Sequence, residues 1–182
     1  YGVGINAEDS CAHQLSLLTN NPVVNLGCPG SSPMFQWVNT TILCNYGIKP
    51  KAVVYYWPYA ARIAELLKNK DAICHPTAPI KGAFNEKWAS HGQNMVESLR
   101  YLMMNVELLW KCPILHYHME EHVTRLIDGL KFMKHSDCRT YLDHARDYNE
   151  KRSVWHAGPE TNKYWAQVVY NDLMKTSYAG VA

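Results

Sequence analysis

Apolar residues at helical spacing alternate along this chain with short runs that are apolar on both faces. Leu15 and Leu18 follow Cys11 at helical spacing, behind the good N-cap residues Asp9 and Ser10, and Asn20-Asn21-Pro22 stops that helix. Val23-Val24-Asn25-Leu26 then reads as a short buried strand, closed by the glycine- and proline-containing loop Asn25 to Ser32. Ser32-Pro33 opens a second helix to about Asn45, with proline in its first turn and Gly47 at its end. The run Ala52 to Trp57 predicts a strand ended by Pro58. A short helix is expected over Ala60 to Lys68 and an irregular excursion over Asn69 to Glu86. Val96, Leu99, Met103, Val106 and Leu109 or Trp110 mark one face of a long helix from His91 to Trp110. Pro113 to His118 predicts the next strand, and Glu120 to Met133 a helix. Lys134 to Arg152 is polar and loop-rich, and Gly158-Pro159 starts a final amphipathic helix to about Met174. Strands apolar on both faces and separated by helices imply a parallel sheet covered on both sides.

Composition narrows the class without naming a function. At 182 residues, 47% hydrophobic and 19% charged, the chain fits one α/β domain of ordinary globular type, taken as residues 1–182. A net charge of +2 gives no reason to expect nucleic acid or an anionic membrane as partner. No run of about 18 apolar residues is present, so no spanning helix is expected, and the expected location is cytoplasmic. The six cysteines are scattered without a Cys-x-x-Cys pair, which favours free thiols.

Four stretches are candidates for chemistry. The loop Asn25 to Ser32 precedes a helix N-terminus, where backbone N–H groups can stabilise an anion; a plain strand-to-helix turn explains it as well. His156, ahead of the Gly158-Pro159 helix start, is placed to act as a general base, with Asp147 or Glu150 as the carboxylate that orients it; a surface or capping histidine is the bland alternative. His116 and His118 share one face of a strand, but with His122 they match no standard zinc spacing, so packed or solvated histidines are favoured and no metal is expected. Ser10, in Glu8-Asp9-Ser10, lacks the apolar strand that precedes a nucleophile elbow and reads as a helix cap.

Taken in order, these segments resemble the SGNH (GDSL-like) hydrolases over most of the chain. Tyr1-Gly2-Val3-Gly4-Ile5 is similar to the stretch that follows that family's Gly-Asp-Ser turn. Asn25-Leu26-Gly27-Cys28-Pro29-Gly30 is similar to its Asn-x-Gly-x-x-Gly block, and Lys49-Pro50-Lys51-Ala52-Val53-Val54 to its Lys-Pro-Asp-x-Val-Val. The region of His156, continuing to Trp165-Ala166, resembles the last block. The resemblance implies a flavodoxin-like three-layer α/β/α sandwich with a short parallel sheet, its first strand and nucleophilic serine lying ahead of Tyr1. It implies His156 as general base and the Gly30 N–H as oxyanion donor, with no metal or cofactor.

The chain departs from the family in places. Trp57-Pro58-Tyr59-Ala60-Ala61-Arg62 replaces the Gly-x-Asn-Asp turn, leaving Arg62 as a substitute donor and Tyr59 beside it for substrate. Ser153 stands three residues before His156, so Asp147 takes the aspartate's role if residues 148–154 are an insertion. The implied function is a serine esterase or acyl hydrolase acting on a small-molecule or carbohydrate O-acyl ester. The alternative is a catalytically degenerate binding or structural module in an assembly of several chains, with Tyr55-Tyr56-Trp57-Tyr59 stacking on a sugar or packing on a partner.

Overall fold

The computed structural model describes residues 6–27, 31–58, 64–66, 74–76, 92–118 and 158–178. Among them, helices combine with a short parallel pair of strands, an α/β arrangement. The chain divides into two compact units, Tyr1–Pro29 with His135–Ala182, and Gly30–Lys134.

In the first unit a 3₁₀ turn (Ala7–Asp9) leads into helix α1 (Cys11–Thr19). Ser10 caps α1: its Oγ accepts the His13 N–H at 3.3 Å and donates to the Ala7 carbonyl at 2.6 Å. The proton and one lone pair of that hydroxyl are therefore engaged at the helix start. α1 ends at Asn20, whose left-handed φ of 50° suits an asparagine. It packs against the last helix (Pro159–Tyr178, α4 below), which turns Thr161, Asn162, Trp165, Ala166, Val169 and Asp172 inward at helical spacing. Asn162 ties the two together. Its Oδ1 accepts the Cys11 N–H at 3.3 Å, and its Nδ2 donates to the Gly158 carbonyl at 2.8 Å.

The stretch Val23 to Leu26 corrects the sequence expectation of a buried strand. It lies outside any described strand, and Val24 and Leu26 are 78% and 48% exposed. Three apolar residues around an asparagine specify apolarity but not a partner, and here the side chains face solvent.

The second unit holds α2 (Pro33–Asn45), β1 (Val53–Trp57), β2 (Ala64–Leu66), β3 (Cys74–Pro76), α3 (Gly92–Leu109) and β4 (Ile114–His118), which makes Pro159–Tyr178 α4. Ser32 caps α2 through the Phe35 N–H at 3.2 Å, and Pro33 occupies the first turn. β1 and β4 pair in parallel from Val53↔Ile114 to Trp57↔His118. β4 is buried on both faces, with His116 on one and Leu115 and Tyr117 on the other. The core lies between the first face and α3, where Tyr55 and Trp57 meet Leu99, Met103, Val106 and Trp110. Leu99, Met103 and Val106 of α3, with Trp110 just after it, are on the face that the periodicity marks. The expected helix over Ala60 to Lys68 is corrected within its described part: Ala64–Leu66 is a strand, paired antiparallel with Cys74–Pro76. Pairing to a segment several residues downstream overrides the local helical preference of an alanine- and leucine-rich stretch.

Candidate functional site

The best-defined polar centre is buried against β1 and β4. Register sets it up: Tyr55 lies opposite His116, and Trp57 follows Tyr55 on the same face. Their rings form a stacked cluster, with centroids 5.1 Å apart for Tyr55–Trp57, 5.5 Å for Tyr55–His116 and 5.9 Å for Trp57–His116. Tyr56 and Tyr117 stack on the opposite face at 5.3 Å.

Two hydrogen-bond chains run through this cluster. Trp57 donates its indole N–H to His116 Nδ1 at 2.9 Å, and His116 Nε2 faces Glu107 Oε1 at 3.1 Å. An indole only donates, so Nδ1 carries no proton and the neutral ring holds its proton on Nε2, aimed at the carboxylate. In the second chain Trp110 Nε1 donates to the Tyr55 hydroxyl at 2.7 Å, which meets Thr40 Oγ1 at 2.6 Å. Thr40 in turn donates to the Gln36 carbonyl at 2.9 Å. With one donor already received and Thr40's proton committed, the Tyr55 hydroxyl donates to Thr40. Burial pushes the Tyr55 phenol above its ordinary value, against the lowering effect of its bonds to Thr40 and Trp110.

These groups have little reactivity to offer. His116 is 2% exposed with both ring nitrogens engaged, so it presents no lone pair to a metal or a substrate proton. Among the described residues no group of histidine, cysteine and carboxylate side chains could hold a metal ion. Cys44 and Cys112 carry free thiols. Burial raises the Cys44 and Cys112 thiols, and Cys44 adds to the effect on Cys112; both therefore stay protonated and weakly nucleophilic at neutral pH. Tyr55 and Trp57, at 6% and 0% exposure, are interior residues, so they are closed to a sugar face. Glu107 went unnoticed in the sequence. Its signal is a carboxylate one turn beyond Met103, flanking the buried stripe of α3, where a charge needs a partner.

The carboxyl end of β1 is also polar. Gln36, from the second turn of α2, donates Nε2 to the Tyr56 carbonyl at 2.6 Å, and its buried Oε1 has no partner. The Asn25 side chain accepts the Gly27 N–H at 3.0 Å in a local side-chain turn. Gly30, Tyr59, Arg62, Asp147 and His156 lie outside the described residues. No helix among the described residues is long and apolar enough to cross a membrane. No family model, curated protein or solved structure matches the chain.

Proposed function

We propose that the chain belongs to an SGNH-type ester hydrolase, a serine esterase or acyl hydrolase built on a flavodoxin-like three-layer sandwich. The observation that carries this reading is the in-register parallel pairing of β1 with β4 across a connection containing α3. Parallel strands bring their carboxyl ends to one edge, and such edges hold the ligands of open α/β sheets. In the sequence, Tyr59 and Arg62 come shortly after β1. Burial of β4 on both faces supports the sandwich, and the start of α4 at Pro159 supports a helix opening directly after the His156 block.

In this mechanism a serine of the Gly-Asp-Ser turn, which the resemblance puts ahead of Tyr1, attacks the acyl carbonyl. His156 takes the serine proton and passes it to the leaving alcohol, and Asp147 orients the imidazole. The Gly30 N–H stabilises the tetrahedral oxyanion. Arg62 and Tyr59 contact the substrate, a small-molecule or carbohydrate ester. Water, deprotonated by His156, then releases the acid from the acyl-serine. No metal or cofactor enters the scheme.

The test is hydrolysis of p-nitrophenyl acetate and of acetylated oligosaccharides by the protein carrying that turn. His156→Ala is expected to lower kcat/KM by at least about 10²-fold. An unchanged rate in His156→Ala removes the mechanism, and no hydrolysis by the wild type favours a binding module.

A further inference from the structure

The edge of the parallel pair opposite the carboxyl end has its own character. α2 ends at Asn45 and runs through Tyr46 to Ala52 into β1, while α3 ends at Leu109 and runs through Trp110 to Pro113 into β4. Because the strands pair in register, both connections lie at the same amino edge. The Val53 N–H bonds the Pro113 carbonyl at 3.0 Å, and Cys44 Sγ reaches the Leu109 carbonyl at 3.9 Å. Tyr46 and Leu108 stand 80% and 82% clear of the protein there, joined by Ile48 at 50% and Leu109 at 39%. Lys49, Lys51 and Lys111 are exposed on the same two connections. Glu107, the carboxylate on the last turn of α3, is turned inward onto His116.

We infer that this amino edge is a docking surface for an anionic lipid bilayer. Protruding apolar side chains rimmed by lysines match an interface whose outer layer is negative and whose next layer is apolar. The helix dipoles of α2 and α3 account for lysines near their ends, but not for four exposed apolar side chains beside them. A peptide partner would need a groove, whose lining would be half-buried, whereas Tyr46 and Leu108 project. A two-fold contact between copies would bring lysines against lysines with no described carboxylate to offset them. The whole-chain charge of +2 hides this patch because it averages over both units. The inference stands apart from the hydrolase reading and does not depend on it.

The experiment is flotation of the full chain with vesicles of phosphatidylcholine alone or with about 30% phosphatidylserine, at low and high salt. Binding to the anionic vesicles is expected to exceed that to neutral ones several-fold and to weaken with salt. Tyr46→Asp with Leu108→Asp, and separately Lys49→Glu with Lys111→Glu, are each expected to lower it about tenfold. Far-ultraviolet circular dichroism should be unchanged, since the altered side chains are largely exposed. Absence of vesicle binding, equal binding to both compositions, or variants that bind like wild type would overturn the inference. Self-association lost in the same variants, or capture of soluble polyglutamate without vesicle binding, would overturn it in favour of a second copy or an acidic polypeptide.

Discussion

Trp57 and His116 are joined twice across the parallel pair: the indole N–H is donated to Nδ1 at 2.9 Å, and the rings stack at an interplanar angle of 15°. The bond fixes the imidazole tautomer, and the tautomer in turn fixes which ring nitrogen meets Glu107. Three side chains from β1, β4 and α3 thus share one proton arrangement.

Replacing His116 tests that arrangement. His116→Phe keeps an aromatic ring in the stack but strands a wholly buried indole N–H and the Glu107 carboxylate. The loss should reach about 2–4 kcal/mol, read from urea unfolding. Glu107→Gln retains an acceptor for the Nε2 proton and should cost about 1 kcal/mol or less. A His116→Phe protein within about 0.5 kcal/mol of wild type would show that the network adds nothing to stability.

Tyr55 makes the fold sensitive to alkali. Its phenol is raised above the ordinary 10.0 by burial, so the unfolded chain releases that proton at lower pH than the folded one. The stabilisation is full below the ordinary tyrosine range and is lost as pH climbs through it towards the folded value. Cys112 acts with the same sign from its lower ordinary value of 9.0. Melting temperature should therefore fall between neutral pH and the phenol range, and Tyr55→Phe should flatten the upper part of that fall while lowering stability at neutral pH. Equal slopes in both proteins would contradict the burial argument.

The serine caps separate structure from chemistry. Ser10→Ala and Ser32→Ala should each cost about 1 kcal/mol, while Ser10→Gly should cost only a few tenths. Ser10→Ala should leave any ester hydrolysis untouched, because its hydroxyl is spent on Ala7 and His13. Lost hydrolysis in a folded Ser10→Ala protein would revive Ser10 as a nucleophile.

Gly47 isolates a backbone effect. It closes α2 with φ of +70°, and a Cβ built there meets nothing within 4 Å. Gly47→Ala should still cost about 1 kcal/mol through conformation alone, and Gly47→Asn less. Calorimetric melting of the two variants gives the comparison; an Ala variant as stable as wild type would mean the turn relaxes away from positive φ.

The features legible in the sequence are those that local chemistry decides. Ser10 and Ser32 announce helix starts because capping needs only the next three residues. The stripe Leu99, Met103, Val106 and Trp110 announces the buried face of α3 because the helical period is intrinsic to the backbone. The strands at Val53 and Ile114 are legible for their β-branched and aromatic runs. Val23 to Leu26 shows the limit: a strand exists only with a partner, and no partner is written in so short a run. Ala64 to Leu66 shows the converse, where pairing with Cys74 to Pro76 outweighs a helical composition. The sequence left His116 either packed or solvated, because its acceptor role depends on Trp57, 59 residues earlier. The hydrolase residues Gly30, Asp147 and His156 rest on motif order, and their geometry is for the esterase assay to probe.

The chain of bonds from Trp110 through Tyr55 and Thr40 to the Gln36 carbonyl has a further consequence. An indole can only give a proton and a carbonyl can only take one, so the two hydroxyls between them have a single orientation. Sliding α2 by one residue along the sheet would carry Thr40 away from the Tyr55 hydroxyl and leave a buried proton without that acceptor. The polar thread therefore works as a register mark, giving near-miss packings of α2 a stepwise penalty that apolar contacts alone would not impose.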